Sequence, residues 1–292
     1  MTSKSESGHA AVNRHIEQKE PRVREQIRTA ARAVVAFSGG VDSALLLSLA
    51  VEELGPGALG VMAVSASLPE RDRNDAIDLA ARFGARLELA TTDEFEDPRY
   101  LANGKDRCYW CRSSLVRAML PIAERERAVM MYGAIVDDLA DDRPGMRAAA
   151  AGGITAPLLD AGFTKDDVRH VAHRLGLPVW DKPASACLSS RIATGTPIDR
   201  ASLQRVDRAE AAVVALGVRV VRVRDRGPNA VLELGPEELA DVIRNPERLS
   251  AIVASVKNAG FSSVQVDPQG YQSPSSRQRL PAAWDGTRPG VR

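Results

Sequence analysis

Ala33-Val34-Val35-Ala36-Phe37-Ser38-Gly39-Gly40-Val41-Asp42-Ser43-Ala44-Leu45-Leu46-Leu47 is the stretch whose reading decides the fold. A short apolar run predicts a strand over 33–37, a glycine pair stops it, and an apolar helical pattern follows at once over 43–54. Strand, glycine turn and helix N-terminus together make an anion site. Gly39 and Gly40 admit backbone conformations and a close approach that a Cβ would block, while free N–H groups and the helix dipole favour phosphate. Ser38 and Ser43 add hydroxyl donors, so Ser38, Gly39, Gly40, Val41, Asp42 and Ser43 form the candidate phosphate-binding set. Asp42 would repel a bare phosphate and makes sense as a Mg²⁺ ligand holding pyrophosphate oxygens, or as an N-terminal cap. The bland alternative is a tight βα turn with no ligand. The Gly-Lys-Ser/Thr ending of a kinase-like phosphate loop is absent.

Outward from this loop, short strand-like runs at 59–65, 86–91 and 128–132 alternate with helical patterns at 69–83, 110–127 and 165–175. Thr164 is expected to cap the last of these helices and Gly176 to end it. This rhythm predicts an α/β doubly wound domain on a parallel sheet, over 26–197. Residues 1–25 mix charges with Gly, Ser and Gln and read as a mobile arm, leading into a helix over 23–32. Beyond a Pro/Gly/Ser-rich stretch at 182–197, the order becomes helix (202–216), strand (218–224), strand (230–234), helix (236–256), strand (262–266). Gly227-Pro228-Asn229 marks a hairpin turn between the two strands. That order suits a small α+β, ferredoxin-like domain over 198–270 that serves substrate binding or oligomerisation, followed by a disordered tail over 271–292. No internal repeat is visible.

The 292 residues are 44% hydrophobic and 26% charged, the profile of a globular protein of about two domains. Lys plus Arg number 39 against 38 Asp plus Glu, so no net field draws nucleic acid or an anionic membrane from a distance. No apolar run approaches the roughly 20 residues that span a bilayer, and no secretory segment opens the chain, so a cytoplasmic location is expected.

The three cysteines, Cys108, Cys111 and Cys187, argue against a secreted disulfide framework. Asp106-Arg107-Cys108-Tyr109-Trp110-Cys111-Arg112 puts two thiols three residues apart at a helix start, near enough to share a metal and beside cations that favour thiolate. Cys187 stands in an irregular loop, Lys182-Pro183-Ala184-Ser185-Ala186-Cys187-Leu188-Ser189-Ser190-Arg191, that a fold could bring to the pair. Three thiolates and no fourth suit a [4Fe–4S] cluster with one iron open to an exogenous ligand such as sulfide. Structural zinc completed by His170 and His173, or buried inert thiols, are the alternatives.

Ser38-Gly39-Gly40-Val41-Asp42-Ser43 resembles the signature of the pyrophosphate-loop ATPases, which cleave ATP between its α and β phosphates and activate an acceptor as its adenylate. After it come, in order, the Cys108-x-x-Cys111 pair, Asp137-Asp138, Arg143-Pro144-Gly145, Pro157-Leu158, Lys165 with Arg169, and the run from Trp180 to Arg191. Together these resemble the LarE family over about Val34 to Tyr271. The resemblance implies an ATP-dependent sulfur transferase that makes the pyridinium-3,5-bisthiocarboxylic acid mononucleotide precursor of the nickel-pincer cofactor of lactate racemase. A carboxylate of a pyridinium dicarboxylate mononucleotide would be adenylylated, and sulfur would then displace AMP. Some members of the family sacrifice the sulfur of one cysteine and become dehydroalanine, whereas three-cysteine members bind a [4Fe–4S] cluster carrying an extra sulfide. Cys108, Cys111 and Cys187 resemble the second type. The resemblance further implies a homo-oligomer of hexameric kind, and a substrate site lined by Glu210, Arg222, Arg224, Glu233 and Asp241. Arg222 and Arg224, two apart on a strand, point to one face and could clamp a nucleotide phosphate; the acidic residues could instead be their salt-bridge partners. The chain departs from the family at Gly133-Ala134-Ile135, where an Asn is usual, and in the tail Tyr271-Gln272-Ser273-Pro274.

A cluster-dependent tRNA thiolase would share the loop and the cysteines, but no basic, aromatic-interleaved segment for RNA is present. An amide-forming ligase with structural zinc, or a nucleotide-sensing accessory that does not turn over, also fits the loop.

Overall fold

The computed structural model describes residues 3–140, 144–183 and 185–272. Arg143, Ala184 and the expected tail beyond Gln272 lie outside the described residues. The chain falls into two compact units that divide between Asp207 and Arg208, beyond the boundary expected at 197/198.

In the first unit, β1 (Ala33–Ala36), β2 (Ala58–Val64), β3 (Arg86–Thr91) and β4 (Val129–Tyr132) form a parallel sheet in the order β3-β2-β1-β4. Helices α1 (Ser3–Ala30), α2 (Val41–Leu54), α3 (Glu70–Arg82), α4 (Pro98–Leu101), α5 (Arg107–Glu126), α6 (Pro144–Ala151), α7 (Pro157–Asp160) and α8 (Lys165–Arg174) connect and cover it. The parallel α/β reading holds, and all four strands sit where the sequence puts them. Helix α2 is buried from Val41 to Ala50 apart from half-buried Asp42, which is why its run of leucines shows no polar face. Thr164 caps α8 in a reciprocal box with Asp167, and Gly176 follows with φ of 70°. In an open parallel sheet, ligands bind beyond the carboxyl ends of the strands where the order reverses. Here that point lies between β1 and β4.

The mobile arm is corrected. Residues from Ser3 are helical, and Ile16, Val23 and Ile27 are buried in the core on one helical stripe. Charge disguised the stripe: Lys19 is buried against Asp167 at 2.7 Å, and Arg24 reaches Glu20, Glu52 and Glu53. Paired charges can enter a helix interface that a reading by polarity leaves to solvent.

The second unit continues α9 (Arg200–Ala215), within which the division falls, with β5 (Val221–Arg226), β6 (Asn229–Leu234), α10 (Pro236–Arg244), α11 (Pro246–Asn258) and β7 (Ser263–Val266). The expected single helix over 236–256 is two helices. Asn245 caps α11 by accepting from Arg248 N, and Pro246, lacking an N–H, opens it. The α+β character holds, with β5-β6 antiparallel across the Gly227-Pro228 turn and β6-β7 parallel. A ferredoxin-like assignment is not carried by this three-stranded mixed sheet. Among the described residues no helix is long and apolar enough to cross a membrane.

Candidate active site

The loop from Ser38 to Ser43 stands at the carboxyl end of β1 and closes on itself through hydroxyls. Ser38 N donates to Ser43 Oγ at 3.2 Å, the two Oγ atoms are 3.1 Å apart, and Ser43 Oγ donates to Gly40 O. Gly39 has φ of 71°, and a Cβ there would lie 2.7 Å from the Cβ of Ala76 on α3, so only glycine fits. Gly40 begins α2 with no side-chain cap, leaving the first N–H groups of a buried helix for an anion. Val41 turns its side chain into the core and can offer only backbone.

Gly133, just beyond β4, closes the other side of the switch point: a Cβ on it would meet Asp42 C and Ser43 N at 2.9 Å. Ala134 and Ile135, where the family pattern has Asn, are buried in the two core clusters flanking the sheet. Asp137 Oδ2 accepts Lys165 N at 2.9 Å, and Asp138 Oδ2 accepts Ile135 N at 3.1 Å. Lys165 Nζ then reaches back to Asp42, 2.7 Å from Oδ1 and 2.6 Å from Oδ2. Burial raises the Asp42 carboxyl above its ordinary value, Lys165 opposes that, and the nearby Asp138 charge adds to it. Sequence reasoning noted Lys165 within a pattern but assigned it no place at the loop.

The thiols gather at the same end of the sheet. Cys108 and Cys111 lie in the first turns of α5, Cys108 exposed and Cys111 half-buried. Cys187 precedes a 3₁₀ turn, Leu188–Arg191, which is tied down on every side. Leu188 N donates to Ser67 O beyond β2, Ser189 Oγ meets Tyr100 Oη at 2.7 Å, and Arg107 donates to Ser189 O at 2.9 Å. Arg191, fully buried, donates to Ala186 O at 2.7 Å and Cys187 O at 3.1 Å. Asn103, also buried, holds the far end of the loop through Ala193 O and Thr196 O. None of these clamps was anticipated from sequence. Burial, then the neighbouring Cys187, Glu94 and Cys108, push the Cys111 thiol up to about 12, while Arg112 opposes them. Burial disfavours the charge on the Arg107 guanidinium, while Cys187 and Cys108 favour it more, and its Nη2 lies 4.0 Å from Cys108 Sγ. The three sulfurs therefore share one electrostatic neighbourhood.

Among the described residues no three His, Cys, Asp or Glu side chains are placed to hold a single metal ion. A cubane spreads its ligand sulfurs more widely than one ion does, and the thiolate of Cys111, which burial and its neighbours disfavour, would be relieved by a cationic cluster core. The donor chemistry of Cys108, Cys111 and Cys187 thus fits an iron–sulfur cluster. The zinc set is not assembled; His173 instead packs edge-on to Trp180 at 4.7 Å.

In the second unit, Arg222 and Arg224 share a face of β5 opposite the buried Val221 and Val223, as their spacing predicts. Arg224 forks onto Glu233 at 2.9 and 2.7 Å, Glu210 accepts Val223 N at 2.9 Å, and Asp241 pairs with Arg248. Arg222 lies over the Tyr271 ring at 4.9 Å.

A family model described as NAD synthase matches residues 15–107, the part holding the phosphate loop. An uncharacterized protein of Synechocystis sp. is 40% identical over 247 residues, 83% of this chain and 90% of its own. The pyridinium-3,5-bisthiocarboxylic acid mononucleotide synthase of Lactiplantibacillus plantarum is 33% identical over 244 residues, 83% of this chain and 87% of its own. The chain belongs to the LarE family. LarE membership and the pyrophosphate-loop domain support an ATP-using enzyme and a sulfur-transferase role. An uncharacterized protein of Methanocaldococcus jannaschii, 28% identical over 243 residues, extends the likeness to an archaeon. Similarity to NAD synthetases is short by comparison, 43% over 74 residues for the glutamine-dependent enzyme of Rhodobacter capsulatus, and it favours LarE over an amide-forming ligase.

Proposed function

We propose that the protein adenylylates a carboxylate of a pyridinium dicarboxylate mononucleotide and converts it to a thiocarboxylate for a nickel-pincer cofactor, using sulfide delivered at a [4Fe–4S] cluster. The observation that carries this reading is the clamped Cys187 loop standing with Cys108 and Cys111 beyond the strand ends that also bear the phosphate loop. Similarity to the L. plantarum synthase over most of both chains supports the substrate class.

In the first step a substrate carboxylate oxygen bonds to the α-phosphorus of ATP. The bond from that phosphorus to the bridging oxygen breaks, and pyrophosphate leaves with the electron pair. Gly39, Gly40 and the first N–H groups of α2 cradle phosphate oxygens. Asp42 would hold Mg²⁺ through hard carboxylate oxygens once freed from Lys165, whose ammonium would then meet the phosphate charge. In the second step the sulfur of hydrosulfide bonds to the acyl carbon, the bond to AMP oxygen breaks, AMP leaves with the pair, and a proton passes to solvent. Cys108, Cys111 and Cys187 would hold the cluster, which when bound supplies an open iron position for exogenous sulfide. Arg191, Ser189 and Arg107 keep Cys187 in place. Arg222 and Arg224, with Glu210, Glu233 and Asp241, bind the mononucleotide phosphate and order its surroundings. The protein works in the cytoplasm as a homo-oligomer of hexameric kind, and needs neither nucleic acid nor membrane.

Anaerobic purification with iron, sulfide and zinc analysis tests the reading. It expects about four irons per chain, lost in Cys108→Ala, Cys111→Ala or Cys187→Ala, with pyrophosphate release retained in Cys187→Ala. Zinc in their place would overturn the cluster, and repeated thiocarboxylate formation by Cys187→Ala would overturn the role of Cys187. A metal-free protein that loses the mass of one H₂S from Cys187 in a single turnover would replace the cluster with a sacrificial cysteine.

A further inference from the structure

Helix α8 carries a second cation on the face that serves the phosphate loop. Lys165 and Arg169 are four residues apart, so they stand one above the other on the helix surface. Lys165 marks where that face points, because its Nζ lies on Asp42 at the head of α2. Arg169 is half-buried, and its Nε is closed off from solvent with no hydrogen-bond partner, the one such side-chain nitrogen or oxygen among the described residues. Buried donors in folded proteins are almost always paired, and an orphan of this kind calls for an explanation, of which a functional role is one.

The carboxylates tied to the loop and to the α8 cap are already engaged, and Asp166, three residues before Arg169, is exposed to solvent. Asp42 takes Lys165 Nζ, Asp137 takes Lys165 N, Asp138 takes Ile135 N, and Asp167 takes Lys19 and Thr164. The loop that Lys165 reaches from this face presents the hydroxyl and N–H donors of Ser38, Gly39 and Gly40 and no acceptor charge among those three residues. A planar guanidinium suits phosphate oxygens, to which it can donate in a fork.

We infer that Arg169 binds the β- and γ-phosphates of ATP, the group that departs as pyrophosphate, and works beside Lys165 once Lys165 leaves Asp42. This rests on the ATP-dependent adenylylation proposed above. Arg169 would hold the charge that the leaving group gains as the bond to the α-phosphorus breaks, while the adenosine monophosphate part makes no contact with it.

Calorimetric titration of the full chain with Mg²⁺ tests the assignment, using α,β-methylene-ATP, inorganic pyrophosphate and AMP as three separate probes on wild type, Arg169→Met and Arg169→Lys. Arg169→Met is expected to weaken the ATP analogue and pyrophosphate about tenfold to a hundredfold, with AMP unchanged and Arg169→Lys in between. Equal affinities in all three proteins would overturn the inference and leave the adenylylation reading standing. Parallel loss of AMP and pyrophosphate would overturn it in favour of a packing or monophosphate role. Failure of the wild-type protein to bind the ATP analogue would remove the adenylylation reading itself. Should Arg169→Met fold poorly, Arg169→Lys, which keeps the charge and loses the fork, reads the same difference.

Discussion

Lys165 Nζ lies between the two carboxylate oxygens of Asp42, 2.7 Å from one and 2.6 Å from the other, and so ties the first turn of α8 to the first turn of α2. Asp42 would otherwise be a carboxylate whose burial drives it towards the neutral form. The lysine opposes that drive without cancelling it, since the carboxyl still stands above its ordinary value.

Lys165→Met should therefore lower pyrophosphate release at neutral pH by about tenfold or more. Its acid limb should also move to higher pH, because the buried carboxyl loses the cation that lowers its proton affinity and more alkaline solution is needed to ionise it. A pH profile of pyrophosphate release checks both, and a limb that stays in place would deny Lys165 its hold on Asp42.

Gly133 is the position where the end of β4 touches the backbone of the phosphate loop, with room for hydrogen alone. Gly133→Ala should cost about 1–3 kcal/mol through displaced backbone and weaken ATP binding, because the atoms that yield are Asp42 C and Ser43 N. Thermal melting together with nucleotide titration would reveal the two effects side by side; a stable variant with native affinity contradicts the packing.

Arg191 is a buried cation serving the carbonyls of Ala186 and Cys187. Arg191→Leu should destabilise by about 1–3 kcal/mol per group left unsatisfied, and thiocarboxylate formation should fall far more than pyrophosphate release. Tyr100→Phe, which removes one hydroxyl from Ser189, should cost about 1 kcal/mol. Single-turnover assays that follow both products would separate these outcomes from a general loss of fold.

Glu126, at the end of α5, is held down to about 2 by Arg86 first and by Arg32 and Arg125 after it. A depressed carboxyl contributes stability that is present above its ordinary value of 4.5 and lost as pH falls towards 2. Glu126→Gln should melt below wild type at pH 7, with the gap narrowing steadily under pH 4.5. A gap independent of pH would assign the residue a packing role only.

Much of this molecule was legible without coordinates because the signals are local. The alternation of strands and helices from Ala33 to Arg174, the glycine turn before α2, the cap at Thr164 and the thiol pair at the start of α5 each depend on residues within a few positions of one another. The same-face placement of Arg222 and Arg224 follows from the two-residue period of a strand. Local reading failed where charge or a single cap outweighed pattern. Helix α1 was hidden by ion pairs that bury Lys19 and Glu20, and the Asn245-Pro246 break lay inside an otherwise continuous helical period.

Other relationships depend on how distant segments meet, and only the tertiary structure decides them. The sheet order β3-β2-β1-β4 sets Gly133 against Asp42 and lets α8 lay Lys165 on the loop from 123 residues away. Cys187 reaches the neighbourhood of Cys108 and Cys111 because Ser67, Tyr100 and Arg107, from three different segments, hold its loop. Sequence by itself determined the chemistry on hand, a phosphate loop and three thiols in a LarE-like order. Which side chains face one another was left to the packing of the sheet, since contacts between remote residues are chosen by the burial of whole helices and carry no local period from which they could be read.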